Sequence, residues 1–307
     1  MTDTAAAPLP LDPLWPRAGD WPAPGSGHGD DELDAVLLGV PTWRTSLSPT
    51  GAHATPAAVR AALRRYSPTL MGPPAVDLAA VLRVADDGDV SEPDGEAGEA
   101  SVRTRVAAVR RRAALVIALG GDNAATVPVA QGAAATGLIT LDAHLDLRDG
   151  TTNGSPVRRL VEAGLDPRRV VQVGIADFAN SAAYARRAAD LGITIITLDE
   201  VRRRGLPDVA TQALEVAGGG DADAAIHLDI DVDVCDRAVA PACPASVPGG
   251  LAAAELRALV RAVAADRRLV SADIVEVDAT ADTGDGRTVR LAALCVLELL
   301  AGRAAAA

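Results

Sequence analysis

The sequence predicts an α/β fold with a mainly parallel sheet, on three observations. Short apolar runs alternate with segments that read as helices through most of the chain, the pattern of βαβ units. The runs are mainly apolar and bordered by turn residues, as in Gly137-Leu138-Ile139-Thr140-Leu141, so they read as buried strands. Four of them end in acidic or amide side chains, and the carboxyl edge of an open α/β sheet is where ligands bind.

In chain order, residues 1–31 are rich in Pro, Ala, Gly and acid, with Trp15 and Trp21 as isolated apolar points. They read as an irregular arm, and residues 32–307 as one domain. Ala35 to Val40 is the first strand, and Thr55-Pro56 opens a helix through Arg65, with proline where its missing N–H costs nothing. Asp86 to Glu99 reads as a mobile, solvated acidic loop, followed by a helix from Ser101 to Arg112. Strands then begin near Ala114, Leu138, Val170, Ile193, Ala225 and Leu269. Helices are expected from about Ser155, Ser181, Val209 and Ala252, and a last one runs to about Ala301. No internal repeat interrupts this order.

Composition narrows the function. The net charge of -12 argues against nucleic acid and anionic membranes as main partners. All 29 basic residues are arginine, which removes Schiff-base chemistry and a phosphate-loop lysine together. The three cysteines, Cys235, Cys243 and Cys295, have no metal-binding spacing, so a reducing cytoplasm is expected. No apolar run reaches ~18 residues, and no membrane span is expected.

The chemistry gathers at the strand ends. One strand runs into Asp142-Ala143-His144-Leu145-Asp146, and another ends in Asp229-Ile230-Asp231. A third ends in Gly120-Gly121-Asp122-Asn123, and a fourth in Glu276. Carboxylates with one imidazole suit a hard or borderline divalent ion such as Mn2+. If the ends converge, Asp142 and Asp229 bridge two ions, His144 and Asp231 complete one, and Asp146 and Asn123 the other. Two ions ~3.5–4 Å apart acidify a bridging water to hydroxide. Glu276 then stands beside the nucleophile, able to bind a cationic amidinium or guanidinium, so the reaction class is hydrolysis at a C–N carbon.

These four motifs, the last two in the chain extending over His227-Leu228-Asp229-Ile230-Asp231 and Asp273-Ile274-Val275-Glu276, resemble the ordered motifs of the ureohydrolases, the arginase, agmatinase and formimidoylglutamase superfamily. The resemblance runs from about Ala35 to the C-terminus. It implies a three-layer α/β/α fold, a binuclear Mn2+ centre and a trimer or hexamer. Within the superfamily, Asp146-Leu147-Arg148 followed by Asn153-Gly154-Ser155-Pro156-Val157-Arg158 is similar to the formimidoylglutamase pattern. It implies substrate contacts at Arg148, Asn153, Ser155 and Arg158, an arginine taking a carboxylate bidentately, and catalytic roles for Glu276 and His144. The substrate implied is N-formimidoyl-L-glutamate, cleaved to glutamate and formamide in histidine breakdown. Asn123 stands where the family has a histidine ligand, so a second ion of reduced affinity is expected.

Blander readings stand beside these. Asp231, Asp233 and Asp236 can be surface acid, and so can Glu276, Asp278 and Asp282. His227 reads as a core histidine, while His53 and His28 read as solvated or structural. Arg148 can pair with Asp149 instead of substrate, and Arg110 to Arg112 and Arg202 to Arg204 read as helix-end charges. A guanidino-substrate enzyme releasing urea, and an inactive homologue that only binds, are the alternative functions.

Overall fold

A computed structural model describes residues 12–26 and 32–306. The strands form where the apolar runs lie: β1 (Leu33–Val40), the short antiparallel pair β2 (Thr69–Leu70) and β3 (Val76–Asp77), β4 (Val84–Asp89), β5 (Ala113–Gly120), β6 (Gly137–Leu141), β7 (Val170–Ile175), β8 (Thr194–Thr197), β9 (Ile226–Asp231) and β10 (Leu269–Val275). Eight of them make one sheet in the order β4-β1-β5-β10-β9-β6-β7-β8, every pair parallel. Strands β5, β6, β9 and β10 are buried almost throughout, as an all-parallel sheet covered on both faces requires.

The helices are α1 (Thr55–Leu63), α2 (Leu78–Val81), α3 (Gly95–Arg110), α4 (Thr126–Gly132), α5 (Pro156–Glu162), α6 (Ala182–Leu191), α7 (Leu198–Arg204), α8 (Leu206–Gly218), α9 (Ala253–Ala264) and α10 (Arg287–Ala306). On one face, α1, α8, α9 and α10 bury Ile117, Leu228, Ile139 and Ala272 in a single large core. On the other, α3 to α6 cover two smaller clusters, around Val116 and Val106 and around Leu138 and Leu160. The result is a three-layer α/β/α architecture. The chain passes from β5 through α4 to β6 and leaves two strand positions open between them, which β9 and β10 later fill. That reversal of winding opens a crevice at the carboxyl ends of the four central strands.

The reading of Asp86 to Arg112 needs correcting. Asp86 to Glu99 is not a solvated loop: it holds the end of edge strand β4 and the start of α3. The acids read as solvated are neutralised locally. Arg60 Nε reaches Asp86 at 2.7 Å and its Nη1 reaches Asp89 at 2.5 Å, while Arg105 pairs with Asp87. The helix after Ser101 therefore begins earlier, at Gly95. Of the arm, 12–26 packs on the body, where Ala18 is buried and donates its N–H to Tyr66 O at 2.8 Å and Trp21 lies against the core. Residues 1–11 and 27–31, His28 among them, lie outside the described residues. Among the described residues no helix is long and apolar enough to cross a membrane.

Candidate metal centre and cleft

The four central strand ends meet in a cleft of about 340 Å³. Its floor carries His144, Asp146, Asp231, Asp233 and Glu276, its far wall Asn180 and Tyr184, and its lip Ser46 to Ser48 with Arg148 and Asn153. The Gly120-Gly121 pair lets the backbone cross here. A Cβ at Gly121 would stand 1.9 Å from Thr42 O, so only glycine fits, and Gly121 O accepts from Glu276 N at 2.9 Å. Asp146 and Glu276 both adopt positive φ, at 51° and 62°, conformations that side chains other than glycine rarely take and that concentrate at functional sites.

Asp142, at the end of β6, is wholly buried, and its Oδ1 accepts from His144 N at 2.6 Å. His144 Nδ1 lies 3.4 Å from Asp142 Oδ1 and 3.0 Å from Asp233 Oδ2. Asp142, His144 and Asp233 bring ligand atoms within 4.8 Å of one another, a grouping that can hold a metal ion. Asp231 Oδ1 caps the following turn through Asp233 N at 2.9 Å, and this turn aims Asp233 back at His144. Asn180 secures the Asp142–Asp146 loop, accepting from Leu145 N and donating to Ala143 O, each at 2.9 Å.

The site is short of positive charge. Burial and the charge of Asp233 push Asp142 up to about 6, while burial and Asp122 push Glu276 up to about 8. Burial followed by neighbouring carboxylates holds Asp146 and Asp231 well above the usual carboxylate range. Burial alone would lower His144, but Asp233 and Asp142 outweigh it and raise it to about 12. Burial likewise works against Asp233, yet His144 brings it below its ordinary value. Asp142 Oδ2 is buried with no hydrogen-bond partner among the described residues. A carboxylate set this crowded, with an orphaned oxygen and one imidazole as counter-charge, fits divalent cations.

The predicted site residues divide. Asp142, His144, Asp146, Asp231, Asn123 and Glu276 come together. Asp229 does not line the cleft; it sits one pleat below, in register with Thr140 and Asp273. Asp233 is the residue that sequence reasoning missed. The spacing Asp-x-Asp-x-Asp offers three acids at equal intervals, and only the strand's end after Asp231 selects among them. Asn123 presents its amide nitrogen, not its oxygen, to the carboxylates: Nδ2 donates to Asp146 Oδ2 at 2.6 Å and Asp231 Oδ2 at 3.3 Å, while Oδ1 accepts from Thr126 Oγ1 at 2.6 Å. Its backbone N–H donates to Glu276 Oε1 at 2.8 Å.

The substrate residues divide too. Asn153 lines the cleft, with Nδ2 donating to Glu276 Oε1 at 2.7 Å and Oδ1 accepting from Leu47 N at 3.0 Å. Arg148 is exposed at the lip, and its guanidinium bonds no group among the described residues; Asp149 pairs with Arg187 at 2.8 Å instead. Ser155 and Arg158 are outside the cleft. Ser155 Oγ donates to Thr152 O at 2.7 Å and is buried. Arg158 Nε donates to Arg148 O at 2.7 Å, and its other nitrogens hold Gly150 O and Glu162, so it secures the backbone that carries Arg148. His227 is a satisfied core histidine as expected, and His53 stacks near Trp43 with ring centres 5.1 Å apart. The three cysteines are buried and free.

The fold and the acidic cleft together define an α/β protein of hydrolase type, and comparison with known proteins identifies its family. The arginase family model matches residues 33–302. The chain belongs to the arginase family. It is 39% identical to a formimidoylglutamase of Halobacterium salinarum, over 92% of this chain and 91% of that one. The crystal structure of formimidoylglutamase from Bacillus subtilis superposes with a TM-score of 0.87 at 30% identity, covering 97% of this chain and 95% of that one. A Trypanosoma cruzi formiminoglutamase structure with Mn2+ shares the fold, with a TM-score of 0.79 at 24% identity over 89% and 94% of the two chains.

Proposed function

We propose that this chain hydrolyses N-formimidoyl-L-glutamate and water to L-glutamate and formamide, with Mn2+ as cofactor. Arg148 carries the proposal: an arginine whose guanidinium has no partner among the described residues, at the lip of an acid-floored cleft, suits a substrate cationic at one end and anionic at the other. The similarity to formimidoylglutamases supports the same reading.

Asp142, His144, Asp231 and Asp233 would hold the metal, with Asp146 beside them. Bound there, divalent ions supply the Lewis acidity that readies a water for attack near neutral pH. The chain's own groups do the rest. Glu276 receives Asn123 N and Asn153 Nδ2 on Oε1, while Oε2 takes no bond from the described residues and is available for the amidinium N–H groups. Arg148 pairs with the glutamate carboxylates in a planar, charge-assisted contact. Asn153 couples Glu276 to the lip at Leu47, so the floor and the rim hold one geometry. Asn123 offers a donor where an acceptor would bind metal, and we infer that a second ion binds more weakly than the first. We further take the protein to act in the cytoplasm as a homo-oligomer, a trimer or hexamer.

Mn-loaded protein offered N-formimidoylglutamate, arginine and agmatine in parallel tests the substrate. Formamide and glutamate from the first alone is the expected result. Urea from either of the others would move the substrate to the guanidino class, and silence on all three would favour a binding protein.

A further inference from the structure

One face of the sheet is apolar from edge to edge, but under α3 to α6 a polar column divides the two smaller clusters. Thr140, Asp229 and Asp273 are register partners across β6, β9 and β10, so their side chains share that face one pleat below Asp142 and Asp231. All three are wholly buried. Thr140 Oγ1, both oxygens of Asp229 and Asp273 Oδ1 have no hydrogen-bond partner among the described residues. The two carboxyls lie within hydrogen-bonding reach of one another. His227 touches the pair, with Nε2 3.2 Å from Asp273 Oδ2, and its Nδ1 is engaged with Ser271 Oγ at 2.8 Å. Gln172, the next partner along the row, also keeps Oε1 unpaired.

Adjacent carboxylates with unpaired oxygens, buried in the interior, demand a counter-charge, since a buried, uncompensated charge is costly. Both nitrogens of the one neighbouring imidazole are occupied, so the free donors are oxygen alone, a set that suits hard cations and not soft ones. We propose that Thr140, Asp229 and Asp273 form a second, internal cation site, separate from the cleft, that takes an alkali or alkaline-earth ion. The ion ties β6, β9 and β10 together directly beneath the cleft floor. This site does not depend on the substrate reading.

The test uses the full chain after Mn2+ loading and desalting, so that no free Mn2+ competes, dialysed into choline chloride. Choline is then replaced by Na+, K+, Mg2+ or Ca2+ at constant ionic strength while thermal unfolding is followed. One of these ions is expected to leave Tm unchanged well below its Kd and to raise it by about 2 °C per tenfold above, as a native-state ligand does for a chain this size. Elemental analysis should find one such ion per chain. Asp229→Asn should abolish the response and Thr140→Val should weaken it; should Asp229→Asn fail to fold, Thr140→Val and the wild-type ion content decide the matter. The proposal is overturned if no ion raises Tm above choline, if no hard cation co-purifies or reloads, or if Thr140→Val responds like the wild type. In that event the pair holds a shared proton or water.

Discussion

Two polar rows stand on the same strands, two residues apart. In the upper row, Asp231 and, just beyond it, Asp233 line the cleft beside His144, with Asp142 buried against the imidazole. The lower row, Thr140, Asp229 and Asp273, is sealed beneath helices. Residue types and spacing are alike, and the surroundings differ. Chemistry open to substrate belongs to acids that stand at or past a strand's end, because only there does the backbone stop covering them.

The largest expected effect comes from the upper row. Asp142→Ala should lower formamide release by more than the roughly 10–100-fold that loss of an outer-shell partner costs, with bound Mn2+ falling in parallel. Residual activity within tenfold of the wild type would make the two rows equivalent. At the lip, Arg148→Met should raise KM by about 10–100-fold with kcat nearly kept, the loss of a charge-assisted contact made equally in ground and transition states. Arg158→Met should raise KM less, since it acts through the backbone it secures; a larger rise than at Arg148 would return Arg158 to direct substrate contact.

Removing the metal should leave a pH signature. Glu276 is pushed from 4.5 up to about 8, Asp142 from 3.8 up to about 6 and His144 from 6.5 up to about 12. In each case the folded state binds more protons than the unfolded one, so the stability of chelated protein falls as pH rises. Denaturant midpoints of EDTA-treated protein should therefore decline from pH 5 to 8, and Mn2+ should flatten that slope. A chelated midpoint that climbs over this range would mean the acids carry no such strain. The smallest effect expected is at Asn123→His, which exchanges an amide donor for an imidazole ligand and should tighten the second Mn2+ in a titration while leaving the first unchanged. Two equally tight ions in the wild type would contradict the reading of Asn123 as a donor.

Much of this was legible in the sequence for physical reasons. Strands β5, β6, β9 and β10 are buried on both faces and so appear as predominantly apolar runs, although β9 and β10 also bury His227, Asp229, Ser271 and Asp273. Strand β4 was not legible, because Asp86, Asp87 and Asp89 look solvated until Arg60 and Arg105, distant in sequence, neutralise them. Arg148 and Arg158 carry equal charge in one motif. Only the loop's fold turns one toward the cleft and spends the other on Arg148 O and Gly150 O. Asp229 and Asp233 flank Asp231 symmetrically, and spacing cannot choose between them. The chain's departure from β9 into a turn at Val232 makes that choice.

The most direct test of this division is the Mn2+ bound per chain after loading and desalting, measured for Asp233→Asn and Asp229→Asn beside the wild type. The upper-row assignment predicts that Asp233→Asn loses Mn2+ while Asp229→Asn retains the wild-type amount. Loss in Asp229→Asn with retention in Asp233→Asn would contradict it and move the metal one pleat down the strand.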